Sequence, residues 1–394
     1  MNKHMLHHLT SVTFSLAVAI STVFLAGTQA SAQCPVTQLT SGLQLPLGIT
    51  QSNQDNLLVS ETGTRVPNTG RISIVDLNGN RRTLLDGLPS GINDVGDPSG
   101  PAGLYLRGRT LYVAIGVGDA VLTGPVPNPN PSSPLFSSVL AIHFSSSTEK
   151  EPTQGFTLTP AASQSLANGQ KVTLTNGGNE QVTVELVANF PDYTSDPTSP
   201  SGFRASNPFA LVAIGDQLYV TDGGQNLVRK VDIPTGAFAV LTTFPRIPNP
   251  LPIGPPVIEA VPTGIVYSGG QLLVTLFRGF PFPVGASVVE QVDPLTGSHA
   301  PFITGLKAPI GVLPVKGVGD THNLVLQHAS QPGPPASPAS QPGLLLRFDT
   351  PAGPPDVIAN CLSRPTAMTL DEKTSTLYVT ELITGRIVAI PIAP

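Results

Sequence analysis

The chain has 394 residues, among them 42 Pro and 39 Gly, with 11% charged residues, 40% hydrophobic residues and no Trp. A helical bundle is excluded, because Pro costs a helix interior about 3 kcal/mol and Gly about 1 kcal/mol. Charge-driven disorder is excluded by the apolar content and a formal charge of only −5, and collagen by the lack of a three-residue Gly period. An all-β chain of short strands and many turns remains.

Residues 1–32 read as a secretory signal peptide. Lys3 begins it, Phe14 to Gly27 form an apolar core too short to span a bilayer, and Ala30-Ser31-Ala32 is a cleavage site. Gln33 before Cys34 disfavours a lipid anchor. His4, His7 and His8 would leave with the leader. Its removal takes one Lys and no acid, shifting the formal charge from −5 to −6. That balance argues against a nucleic-acid partner, and no later segment is long and apolar enough to be a membrane span. The expected location is extracellular or periplasmic.

From residue 33 to 394 one unit recurs. Its start is Pro-x-small-aliphatic, seen at Pro46, Pro101, Pro208, Pro262, Pro309 and Pro365. Each start leads to an apolar second strand, for example Leu57-Leu-Val-Ser-Glu61, Leu218-Tyr-Val-Thr-Asp222 and Leu377-Tyr-Val-Thr-Glu381. Third strands follow, then turns such as Asp293-Pro-Leu-Thr-Gly297 and fourth strands. Starts lie 55, 107, 54, 47 and 56 residues apart. The long interval holds no second copy of the start, so it reads as blade two with an insertion over about 146–180. Val172 to Leu174 and Val182 to Leu186 are its candidate strand pieces. Six such units predict an all-β, six-bladed β-propeller with four-stranded blades.

The last unit stops after its third strand, whereas Val36 to Leu43 has no unit of its own. The N-terminal segment is therefore expected to supply the fourth strand of blade six. Cys34 would then meet Cys361, which leaves blade five just before blade six. A Cys34–Cys361 disulfide would close a loop worth about 5 to 6 kcal/mol at most in the chain-entropy picture. Two free thiols are the alternative. Blades bury their sheets against one another, so a monomer is expected.

Asn207-Pro-Phe-Ala-Leu, Leu218-Tyr-Val-Thr-Asp-Gly-Gly-Gln-Asn226, Val261-Pro-Thr-Gly264 and Gly279-Phe-Pro-Phe-Pro-Val-Gly285 resemble the ScyD/ScyE family of secreted bacterial propellers. NHL-repeat and gluconolactonase-like propellers share the Leu-Tyr-Val-Thr-Asp strand as wider relatives. The resemblance implies a six-bladed secreted propeller and no assigned reaction. Blade five departs from the pattern, with Gln327-His328 and a Pro-rich loop in place of an acidic strand end. In blade two Asp119 is displaced from the strand end, so a uniform ring of acids is absent.

In a propeller, the connectors from second to third strand and from each fourth strand to the next blade share one face. The long segments Asn93 to Gly100, Val121 to Phe136, Pro191 to Ser206, Pro245 to Val261, Gly279 to Gly285 and Gln331 to Gly343 all fall there. Loop growth on one face of a rigid scaffold builds binding surfaces; neutral drift is the competing explanation. Glu61, Asp119, Asp222, His328 and Glu381 are expected around the channel mouth, with Asn207 and Arg364 at blade starts. Glu61, Asp222 and Glu381 are candidate oxygen ligands for Ca²⁺, which would support metal-dependent lactone or ester hydrolysis. Their competing role is to accept backbone N–H bonds in the turns. Arg364 is an ion-pair partner or an anion clamp, and Phe280 and Phe282 are a recognition tip or a cap on the channel. No G-x-S-x-G, H-E-x-x-H, Walker or C-x-x-C motif is present. The sequence thus points first to a binding or scaffold module for a small ligand, glycan or protein partner, and second to a metal-dependent hydrolase.

Overall fold

A computed structural model describes residues 34–122, 126–150, 154–198, 202–317, 321–330 and 342–392. The signal-peptide reading and most of the Gln331 to Gly343 loop lie outside them. Each blade opens at its Pro, with inner strands Pro46–Gln51, Pro101–Arg107, Pro208–Ile214, Pro262–Ser268, Pro309–Lys316 and Pro365–Asp371. Three further antiparallel strands follow outward in each blade. Every inner strand shifts register just after its Pro, between Pro46 and Gly48 in blade one and at the matching place in the other five. Proline cannot donate to the ladder, so a bulge at that point costs no hydrogen bond. In blades one and two the glycine two places on is required by its neighbour. A Cβ on Gly48 would sit 2.3 Å from the Ala102 carbonyl, and one on Gly103 2.5 Å from that of Phe209.

Second strands are apolar throughout because both of their faces are covered. Leu58 packs toward blade two, whereas Leu57 and Val59 pack toward blade six. This alternation, with the side-chain period of two, yields one apolar cluster at each junction between consecutive blades. Polar bonds cross the same junctions. Ser60 Oγ donates to the Ala102 carbonyl, Thr221 Oγ1 to that of Thr263 at 2.6 Å, and Thr263 Oγ1 to that of Pro309 at 3.0 Å. His328 Nδ1 lies 3.0 Å from the Pro365 carbonyl, and Thr366 Oγ1 donates to that of Pro46 at 2.9 Å. Between blades two and three the role falls to Ser137 Oγ, which donates to the Ser206 carbonyl at 3.1 Å.

Closure is as the sequence predicts. Thr37–Thr40 pairs antiparallel with Arg386–Pro391, and Cys34 is joined to Cys361 with their Cα atoms 5.8 Å apart. Among the described residues no helix is long and apolar enough to cross a membrane.

The long interval in blade two is resolved by pairing. Gln181–Asn189 is the blade's fourth strand and Val172–Thr175 adds a fifth. Upstream, Phe156–Thr157 pairs in parallel with Leu85–Asp86 of blade one. The short helix Ser146–Lys150 buries Glu149, which accepts from Ser52 Oγ, Asn56 Nδ2 and Arg109 Nη2. This segment therefore ties blade two back to blade one.

Candidate functional site

The inner strands enclose a channel of about 220 Å³ lined by Leu47, Leu104, Phe209, Ile265, Ile310 and Met368, among others. Among the described residues no charged side chain lines it. The sequence-predicted acids Glu61, Asp222 and Glu381 instead end the second strands, one position outward from the channel-lining strands.

The three strand-end carboxylates are fully buried and fully engaged. Glu61 accepts both Nε and Nη2 of Arg71 at 2.9 Å, together with Ser73 Oγ and the backbone N–H of Gln44. Asp222 accepts from Asn207 N at 2.8 Å, Ser206 Oγ at 2.7 Å, Gln225 N and Arg229 Nη2. Glu381 accepts from Ser363 N at 2.7 Å, Thr384 Oγ1 and Arg386 Nε. One device recurs. An acid ending the second strand is paired with an Arg on the third strand, and it fixes the backbone just before the inner-strand Pro. A buried carboxylate left unpaired would be costly, so each acid comes with its Arg. Among the described residues no three acidic, His or Cys side chains gather where they could hold a metal ion.

The remaining predicted residues have their own places. Asp119 organises the blade-two loop, accepting from Ser132 N at 3.0 Å, while its carbonyl takes Asn128 Nδ2. Asn207 bridges blades, its Oδ1 accepting from Val117 N at 3.2 Å. His328 is buried, and burial lowers its pKa to about 4; the neutral ring donates from Nδ1 to the Pro365 carbonyl. Arg364 occupies the left-handed backbone region before Pro365, and its charge acts on Asp97 and on His328. Phe280 and Phe282 are half-buried and edge-on at 6.1 Å. Phe282 meets Phe277, which in turn lies 5.8 Å from the His328 ring. The Gly-Phe-Pro-Phe-Pro loop is thus an aromatic wall reaching His328.

Sequence reasoning missed three features of this face. Among the described residues four small hairpins rise from it, pairing Gly91–Ile92 with Pro98–Ser99, Val121–Leu122 with Val126–Pro127, Tyr193–Ser195 with Phe203–Ala205, and Ile247–Pro248 with Val257–Ile258. Two of them are braced together by charge. Asp196 pairs with Arg204 and Arg246 at 2.7 Å each, and Glu259 pairs with both arginines. The Thr198 hydroxyl and these arginines hold the Asp196 carboxyl well below the usual range.

The third feature is apolar. Among the described residues sixteen large apolar side chains are exposed, and eleven of them lie on this face. They are Val66, Ile92 and Val95 beside blade one, Leu122, Val126 and Tyr193 on blade two, Leu251, Ile253 and Val257 before blade four, and Val284 and Ile383 on blades four and six. The opposite face has Tyr267 and Leu295, and the outer strands have Phe238, Val240 and Val357.

No known family profile matches this chain, and no curated protein matches it. Solved structures do. A PQQ-bound aldose sugar dehydrogenase from Streptomyces coelicolor is 14% identical, with 91% of this chain and 98% of that chain covered and a TM-score of 0.50. A gluconolactonase from Xanthomonas campestris is 11% identical, with 91% and 89% covered and a TM-score of 0.51. At such identities the likeness shows the fold: this chain is a six-bladed β-propeller.

Proposed function

We propose that this protein is a secreted propeller of the ScyD/ScyE kind that works as a binding module, engaging its partner through the loop-rich face. The carrying observation is the concentration of exposed apolar side chains on that face. Scattered apolar residues on a surface need no explanation, whereas a gathered set marks an interaction site. Its chemistry narrows the partner. Ten of the eleven residues are aliphatic and only Tyr193 is aromatic, which suits a protein surface better than sugar rings stacking on aromatic faces. The hairpins and the Asp196–Arg204–Arg246–Glu259 network order the loops in advance, reducing the entropy lost on binding.

A calcium-dependent hydrolase or lactonase at the channel mouth would draw on Glu61, Asp222 and Glu381. Each of these is already saturated by donors of its own blade, which supports an architectural use. The test is capture from the producing cell's envelope and medium fractions. The mature protein is expected to retain a protein partner that the combined variant Val95→Lys, Ile253→Lys, Val284→Lys loses and Leu295→Lys keeps. Equal capture by both variants would remove the loop-rich face from consideration. A calcium titration followed by thermal unfolding is expected to leave the melting temperature unchanged; a saturable rise would favour the hydrolase.

A further inference from the structure

Lys307 is 2% exposed, and its ammonium has no hydrogen-bond partner among the described residues. Burying an unpaired ammonium is costly, and burial here pushes its pKa down. The blade pattern explains why it stands alone. Blades one, three and six end the second strand in Glu61, Asp222 and Glu381, facing Pro46, Pro208 and Pro365 across the ladder. The matching residue of blade five is Gln327, facing Pro309. Its Oε1 accepts the backbone N–H of Lys307 at 2.7 Å, the same service the acids perform for Gln44 and Ser363. The backbone bond survives the change from acid to amide, but the negative charge does not. In that position relative to the Pro, the other blades carry Gln44, Ser99, Ser206, Ala260 and Ser363, all uncharged. Blades two and four end the second strand in Ile115 and Leu276, facing Pro101 and Pro262; blade five alone sets a cation two places before the Pro and a neutral amide at the strand end.

We propose that Lys307 is the anchor of an anion subsite at the channel mouth, taking the carboxylate of a small ligand with an apolar or aromatic body. The surroundings fit both ends of such a molecule. Lys307 and Arg364 both act on the His328 ring as positive charges. His328 stays neutral and is locked to the Pro365 carbonyl, and Phe277, Phe280 and Phe282 extend from it as an apolar wall. Three residues after Lys307, Ile310 begins the blade-five lining of the apolar channel. The subsite rests on reading this face as a binding surface, yet its occupant is separate from the protein partner.

Thermal unfolding of the mature protein with added sodium benzoate, acetate or phosphate, against chloride at equal ionic strength, tests the proposal. Benzoate is expected to raise the melting temperature saturably by about 2 °C or more, and acetate to do so at higher concentration. Lys307→Met and Gln327→Glu should fold and lose the response, the second by supplying the missing charge internally. No saturable rise in the wild type, or an undiminished rise in Lys307→Met, would overturn the subsite. A response to phosphate stronger than to benzoate would overturn the carboxylate assignment. The lysine-face capture experiment is independent of these outcomes, so failure of one reading is distinguishable from failure of the other.

Discussion

The two faces of the propeller are built from the same strands and differ in what their connectors do. On the opposite face, short turns satisfy themselves: Asp76, Asp232 and Asp293 each accept from N–H groups two to four residues ahead. Those bonds lower the carboxyl pKa values of all three. On the loop-rich face, the strand-end acids settle the backbone at the blade starts, and the longer segments beyond are free to fold into hairpins. The lesson is one of division. Glu61, Asp222 and Glu381 fix the blade starts, whereas most of the side chain surface of the exposed apolar residues on this face is left to solvent.

That division can be broken by variants, beginning with the acids. Asp222→Ala would leave Arg229 buried without its partner and is expected to cost about 3 to 5 kcal/mol in chemical unfolding. A loss below about 1 kcal/mol would mean the acid is not architectural. Removing the Cys34–Cys361 bridge by Cys34→Ser with Cys361→Ser should cost about 2 to 5 kcal/mol, read in the same way, since it reopens the ring at blade six.

His328 gives a pH signature between the two regions. Its folded pKa is about 4 against an ordinary value of 6.5, so the unfolded chain binds the proton more tightly. The neutral-ring stability is therefore complete above pH 6.5 and is lost as the pH falls toward 4, amounting to about 3 kcal/mol. His328→Gln should flatten the stability profile over that window, and an unchanged slope would place the proton elsewhere. The smallest effect belongs to the apolar face. Val284→Lys and Leu295→Lys should each alter stability by no more than about 0.5 kcal/mol, because neither side chain packs into a blade.

Much of this architecture is legible in the sequence. Proline at each blade start, the small residue two places on, and the apolar second strand all have strong local causes. The cysteines near the two ends were legible once the six units were counted. The insertion was only half legible. Its strand pieces at 172–174 and 182–186 carried a signal, but Phe156–Thr157 pairs with blade one over two residues, too few for any periodicity. Glu149 sits in Ser-Ser-Thr-Glu-Lys, which reads as a solvated turn, and only the approach of Arg82 and Arg109 buries it. Glu61, Asp222 and Glu381 end second strands, and nothing in the sequence marks their arginine partners. Arg71, Arg229 and Arg386 sit on the third strand, and only hairpin register brings Arg71 and Arg386 opposite their acids and Arg229 diagonal to Asp222. The isolation of Lys307 is not legible in the sequence, because it depends on Gln327 standing where blades one, three and six place an acid.

Hydroxyl-radical footprinting of the mature protein, alone and with the envelope and medium fraction that contains its partner, tests the binding face most directly. Protection is expected at Val95, Leu122, Ile253 and Val284, with Leu295 and the outer-strand residues Phe238, Val240 and Val357 equally reactive in both states. Protection confined to Phe238, Val240 and Val357, with the loop-rich face unchanged, would contradict it.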